Sequence, residues 1–296
     1  MKINGCECSL AIKTAQNEFD IPYSDETIRE DFTLLQEEAS IEGDGVCRAI
    51  RKRGGATGCV VTPLTIGTAP LLLSLALGSA WIPVFISETR NLYRHGLSLV
   101  PFEDSDFFNL IQERTGNREQ VIGNRERKLY EGCRAKGFEL RINREETIKL
   151  KLEIAGEQPS SNYQFTEIDK NETEERFNGD YVNYKINGKE YTNIYGLTFI
   201  AKKESGTKTE VWIKRSLEEG SDIPQGIDEL EITARLLRDK YEYRCFGMFR
   251  IKITGLVLVS DETEINAADS VIGPLRYYVT GNAQANVFTG DDWSLA

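Results

Sequence analysis

Histidine is nearly absent from this sequence: His95 is the only one in 296 residues, beside two methionines and six cysteines. A single imidazole cannot build a multi-histidine metal centre. No serine or cysteine sits in a G-x-S-x-G elbow that would give His95 a nucleophile to serve, so it reads as a partly buried structural or interface residue. The cysteines (Cys6, Cys8, Cys47, Cys59, Cys133 and Cys245) are too sparse and scattered for a disulfide framework. They read as reduced thiols of a protein made in a cytoplasm. Cys6-x-Cys8 is tighter than a C-x2-C zinc half-site, and no second pair matches it.

Long apolar runs are also lacking. The longest, residues 64–82, is interrupted by Gly67, Pro70 and Gly78 and carries Thr65, Thr68, Ser74 and Ser79. It falls short of the roughly 20 predominantly apolar residues of a spanning helix, so no membrane insertion is expected. Residues 1–14 show no basic stretch leading into an apolar one, hence no secretory signal. Cations are in deficit: 36 Lys and Arg against 47 Asp and Glu leave a net charge of −11. A surface that acidic repels nucleic acid and anionic membrane unless its positive charge is segregated.

What is present is strict alternation. Phe138, Leu140 and Ile142 alternate with Glu139, Arg141 and Asn143. After the polar turn Arg144-Glu145-Glu146-Thr147, Ile148, Leu150, Leu152 and Ile154 alternate with Lys149, Lys151 and Glu153. Period two marks strands with one buried and one wet face, and the short polar break marks an antiparallel hairpin. A second hairpin is marked by Asn187-Gly188 between residues 181–186 and 189–191. Further strands are expected at 60–66, 81–87, 92–102, 194–202, 208–214, 230–236, 241–253 and 256–260. The stretch 271–288 alternates less cleanly, and 28–40 and 104–113 do not choose between strand and helix.

One helix is well signalled. Thr68 stands as N-cap, Pro70 in the first turn, residues 71–77 are helix-forming, and Gly78 is the stop. The fold class is therefore mainly β: an antiparallel sandwich or barrel with one flanking helix and long loops. Residues 1–40 read as an arm or weak edge strand ahead of a β domain over 41–296. The polar, partly acidic stretch 157–177 is a possible internal boundary.

Catalytic and metal signatures do not emerge. Arg53-Gly54-Gly55-Ala56-Thr57-Gly58 lacks the G-K-[ST] ending of a phosphate loop. The acidic sets Glu172/Glu174/Glu175 and Glu218/Glu219/Asp222/Asp228/Glu229 lack calcium-loop spacing. No enzyme activity and no cofactor are expected. Arg48, Arg51, Lys52 and Arg53 form the one concentrated basic segment, whose glycines predict a flexible loop able to pair with an acidic neighbouring subunit. Tyr181, Tyr184, Tyr191 and Tyr195 are the one aromatic cluster that would suit a carbohydrate or surface-binding platform.

The order of the pieces carries a resemblance. Ala69-Pro-Leu-Leu-Leu-Ser-Leu-Ala-Leu-Gly-Ser79 is followed by Leu92-Tyr-Arg-His-Gly-Leu-Ser-Leu-Val100, by Leu129-Tyr-Glu-Gly-Cys133 and by the alternating hairpin ending Leu152-Glu-Ile-Ala-Gly156. This resembles the bacteriophage tail tube proteins, in which a leucine-rich helix ending in Leu-Gly precedes a Tyr-x-His strand and a Tyr-x-Gly-Cys turn. A weaker likeness runs through Gly196-Leu-Thr-Phe-Ile200, Gly247-Met-Phe-Arg-Ile-Lys-Ile253 and Gly273-Pro-Leu-Arg-Tyr-Tyr-Val-Thr-Gly281, covering residues 40–290.

The resemblance implies a virion protein of the tail, assembled in the host cytoplasm. It implies rings, six copies each, stacked into a hollow tube, with a tape-measure protein and tail terminator or baseplate proteins as partners and DNA passing without specific binding. The charged loops 48–58 and 114–127, with Arg48, Arg51, Lys52, Arg53, Arg118, Arg125 and Arg127, would bridge rings or subunits. A different tail or injection-machine component and a non-viral β-sandwich binding module remain the alternatives.

Overall fold

The central alternation becomes the spine of the molecule. The computed structural model describes residues 8–13, 18–37, 48–79, 83–87, 92–115, 125–157, 159–160, 175–203, 209–217, 226–236, 246–260 and 271–290. Its elements run β1 (Cys8–Lys13), β2 (Glu18–Asp20), β3 (Asp25–Glu26), β4 (Arg29–Glu37), β5 (Arg48–Pro63), α1 (Ala69–Leu77), β6 (Pro83–Ser87), β7 (Leu92–Ser98), β8 (Phe108–Thr115), β9 (Arg125–Asn143) and β10 (Lys149–Gly156). They continue with β11 (Pro159–Ser160), β12 (Val182–Ile186), β13 (Lys189–Tyr191), β14 (Ile194–Lys203), β15 (Thr209–Leu217), β16 (Glu229–Arg235), β17 (Phe246–Thr254), β18 (Leu256–Ser260), β19 (Val271–Val279) and β20 (Ala283–Gly290).

Two antiparallel sheets result, facing each other as a sandwich with neither closed into a barrel. The larger has thirteen strands, in the order β18-β19-β15-β14-β9-β10-β5-β3, with β4 added to β5, β8 and β11 to β9, and β1–β2 to β8. The smaller follows β13-β12-β16-β17-β20-β7-β6. The β9–β10 register pairs Leu140 with Leu150 and Phe138 with Leu152, and all four are buried. One hydrophobic cluster joins this face to Leu230, Ile232, Phe249 and Val287 of the small sheet. Phe138 and Phe199 touch within it, ring centroids 5.7 Å apart.

Both halves of the chain share both sheets. β9 pairs with β14 across the stretch read as a possible boundary, and β7 pairs with β20. The expected N-terminal arm supplies β1 to β4, and Leu10, Ile12, Ile21 and Ile28 bury in the common core. Polar spacing hid this from the sequence: Leu10 and Ile12 sit in one short strand, and Ile21 and Ile28 bury singly from the segments between strands.

The expected flanking helix forms and is fully enclosed. Every residue of α1 is buried, and it touches β9 of the large sheet and β7 and β20 of the small one. A helix apolar all round has no face to offer water, which is why it is covered on every side. Gly78 ends it at φ +83°, its N–H donating to the Ser74 carbonyl at 2.7 Å. Thr68 occupies the N-cap position but makes no side-chain bond to the helix. Its hydroxyl instead meets the Thr65 hydroxyl at 2.7 Å. Among the described residues no helix is long and apolar enough to cross a membrane.

The Asn187-Gly188 turn forms with both residues at positive φ, +51° and +77°. Asn187 Oδ1 accepts from the N–H groups of Asp228 and Glu229 at 2.8 and 3.0 Å, which ties the hairpin to the start of β16. A tighter constraint sits at Gly179, whose N–H donates to the Glu146 carbonyl at 2.9 Å. A Cβ there would run into the Asn143 carbonyl oxygen at the β9–β10 turn. Gly179→Ala is expected to cost about 2–3 kcal/mol by forcing that turn outward. The check is urea unfolding, read as a lower midpoint at unchanged slope.

Candidate self-assembly interface

His95 lies on β7 opposite Val287 and Pro83, with its Nε2 3.5 Å from the Thr289 hydroxyl. Burial holds its pKa below the ordinary imidazole value, which keeps the ring neutral near pH 7. Cys133 is buried and its thiol is pushed up to about 12 by desolvation, which removes the thiolate that reactive chemistry needs. Cys59 sits half-buried, 3.2 Å from the Thr27 hydroxyl, and both thiols are free. Cys8 opens β1, and Cys6, Cys47 and Cys245 lie outside the described residues. Among the described residues no group of three or more His, Cys, Asp or Glu could hold a metal ion. Of the acidic sets, Glu229 is paired with Lys252 at 2.9 Å; Glu172, Glu174, Glu218, Glu219 and Asp222 lie outside the described residues.

The tyrosine cluster separates. Tyr184 is buried and stands opposite Tyr191, which packs against the core. Tyr181 and Tyr195 are exposed beside the β9–β10 turn. Two lone rings there do not make a four-residue platform.

The basic stretch is a correction to the sequence reading. Its glycines predicted a loop, but residues 48–58 are the first part of β5, paired with β4 from Arg29↔Thr57 to Glu37↔Arg48. Gly55 serves packing rather than flexibility, since a Cβ there would meet the Gly156 carbonyl oxygen of the neighbouring β10 end. Arg48, Arg51, Lys52 and Arg53 therefore ride on a long hairpin. Arg125 and Arg127 ride on a second one, opposite Thr115 and Glu113 in β8–β9. Lys128 joins the two, its Nζ donating to Glu30 of β4 at 2.9 Å. Two of the expected contact segments are thus neighbours; Arg118 lies outside the described residues.

The surface feature missed by sequence reading is β18. Six large hydrophobic residues are exposed among the described ones, and three are consecutive on this strand: Val257, Leu258 and Val259, at 50%, 43% and 39% exposure. Among the described residues β18 is the terminal strand of the large sheet and pairs only with β19. No described strand pairs with its other side, where apolar side chains line an edge that is a template for another strand. The chain enters it through Gly255, at φ +68°, with only a one-residue step from β17 of the opposite sheet. A Cβ at Gly255 would press on the Gly281 backbone nitrogen at 2.5 Å, so the corner that aims β18 outward is built on glycine. The run Leu-Val-Leu-Val reads in sequence as a strand, and only sheet order reveals that it is an edge.

Comparison with protein-family models and with curated proteins gives no match. The reading of function therefore stands on the surface itself.

Proposed function

We propose that the chain is a self-assembling structural subunit, of the kind that stacks as rings into a phage tail tube. The observation that carries this is β18, an open apolar edge on a large antiparallel sheet. Monomeric proteins blunt such edges with charge, proline or a covering element, whereas assemblies use them to pair with the next copy. Edge-to-edge pairing that repeats around a ring closes when the rotation per copy divides a full turn, and six copies is the closure that the tail tube resemblance implies. In this reading the protein belongs to a virion tail put together in the host cytoplasm. Tape-measure and terminator or baseplate proteins meet the tube, and DNA passes through it. The basic hairpins, of which β4–β5 lies at the other end of the large sheet, supply a second contact, toward acidic segments of a neighbouring ring.

Electron microscopy of the purified protein, with light scattering over a concentration series, tests this. Rings or tubes with a central hole are expected, and their symmetry counts the copies. A protein that stays a single copy at high concentration overturns the reading and sends attention to Tyr181 and Tyr195 as the core of a small binding site. A narrower test addresses the hairpins. Replacing Arg51, Lys52 and Arg53 by glutamate is expected to lower tube yield several-fold, with an unchanged far-UV circular dichroism spectrum. Unaltered yield removes the β4–β5 hairpin from the contact.

A further inference from the structure

An acidic protein is a poor candidate for nucleic acid, unless its charges are segregated. Along the sequence they are: residues 38–47, 161–174, 218–225 and 261–270 hold fourteen carboxylates and one lysine. Across β9, β10, β14, β15 and β19 the outward face of the large sheet carries the opposite sign. Three cross-strand rows define it. Lys151, Glu139, Ile200, Trp212 and Arg276 stand in one row. Glu153, Gly137, Lys202, Glu210 and Tyr278 stand in the next, and Lys149, Arg141, Thr198 and Lys214 in the third. These rows alternate with the buried Leu140, Phe199 and Ile213, so all of them point away from the core.

The carboxylates of these rows on β9, β10 and β15 are paired, while the first row runs on through Val61 to the exposed Asp25 at the β3 end of the sheet. Glu139 pairs with Arg141, Glu210 with Arg276, and Glu153 lies 3.9 Å from Lys151. Lys149, Lys202 and Lys214 remain as surplus cations, with no salt bridge among the described residues. Lys202 and Lys214 are exposed, and Lys149 is half-buried. Between them stands a partly exposed aromatic pair. Lys202 Nζ lies 4.8 Å and Arg276 Cζ 5.6 Å from the Trp212 ring centre, and Arg276 Cζ also lies 6.0 Å from the centre of the Tyr278 ring.

We propose that this face binds single-stranded nucleic acid, with phosphates on Lys149, Lys202 and Lys214 and a base stacked on Trp212. Surplus cations alternating with ring faces across adjacent strands are the two components of a sequence-tolerant strand-binding surface. An acidic protein partner would satisfy the lysines but leave the tryptophan without a role. Lys202 is exposed and swings from the ring to a phosphate, which frees one indole face for the base. The site exists on a single copy and does not depend on assembly through β18.

The probe is a fluorescein-labelled 20-nucleotide single strand, titrated at pH 7 and followed by anisotropy, with light scattering run alongside to report the assembly state. Saturable binding is expected at 50 mM salt for single copies and assemblies alike. With three phosphates neutralised, the logarithmic salt slope is about −2, a loss of roughly 25-fold by 250 mM. Lys149→Gln, Lys202→Gln and Lys214→Gln together are expected to weaken binding at least about tenfold. These substitutions are on the wet face, and an unchanged circular dichroism spectrum confirms folding. In a Trp81→Phe, Trp293→Phe background the remaining Trp212 emission is expected to quench on binding. Three results overturn the proposal: no binding at 50 mM salt, equal affinity in the triple variant, or Trp212 emission unmoved while poly-glutamate of matched charge binds as tightly. The last would mark the face as a dock for acidic protein.

Discussion

Replacing Val257 and Val259 with lysine is expected to leave the protein as single copies at concentrations where the unaltered chain assembles. Both side chains are about half exposed on a terminal strand, so the folded copy loses less than roughly 1 kcal/mol. An interface that pairs this strand with another must bury two ammonium groups beside apolar neighbours. Edge lysines are a device by which natural sheets prevent such pairing. A weakening of about 100-fold or more, near 3 kcal/mol, is expected. Sedimentation and electron microscopy check it against the same protein with unfolding curves matched. Tubes of normal length from the double variant would remove β18 from the assembly and with it the observation on which the proposed function rests.

The second large effect concerns Lys203. This lysine ends β14 with 5% of its surface exposed. Its Nζ donates to Ser105 Oγ at 3.3 Å, and Ser105 in turn donates to the Pro101 carbonyl at 2.9 Å. It lies at the C-terminal end of α1, where a Cβ on Gly78 would come within 2.7 Å of the ammonium nitrogen. The negative end of a helix favours a cation, but loss of hydration is larger, and desolvation pulls the amine from 10.5 down to about 7. The sign follows from proton counting. Between pH 7 and 10.5 the unfolded chain holds this proton and the folded chain does not, so stability rises with pH through that window. Below pH 7 the full cost of the buried charge is present.

Lys203→Met is therefore expected to stabilise the protein at pH 6–7 by roughly 2–4 kcal/mol, keeping the packing and deleting the charge. The same variant is expected to gain less than the parent between pH 7 and 9.5. Urea midpoints of both proteins at the two pH values decide this, because the other titrating groups cancel in the comparison. Identical pH dependence in the two would show that the amine stays protonated in the folded protein over this range, as a solvated lysine does.

Arg215 shows how alternation places a residue without declaring its character. Its phase on β15 is that of Val211, Ile213 and Leu217, so the guanidinium points inward. It is 1% exposed, and none of its three nitrogens has a hydrogen-bond partner. Desolvation lowers its pKa, opposed by the nearby Tyr277 and Tyr191. Read as sequence, Ile-Lys-Arg-Ser-Leu gives Arg215 no mark that separates it from Lys214, which is exposed.

The elements with local causes were legible in advance. Period two placed Phe138 to Ile154 with one face buried, Asn187-Gly188 supplied the positive φ angles of its turn, and Pro70 and Gly78 bracketed the helix. Each of these depends on residues within a few positions of one another, so the chain carries the information directly. Sheet order depends on pairings between residues as distant as His95 and Val287, and no local pattern encodes it. It was that order which turned the basic stretch of residues 48–58 from loop into strand, carried Leu10, Ile12, Ile21 and Ile28 into the core, and covered the helix on every side. It also left Val257 to Val259 on an open edge and gathered Lys149, Lys202, Lys214 and Trp212 onto one face. A run of apolar residues has the same composition in the middle of a sheet as at its margin; which neighbours the strand lacks is a property of the whole fold.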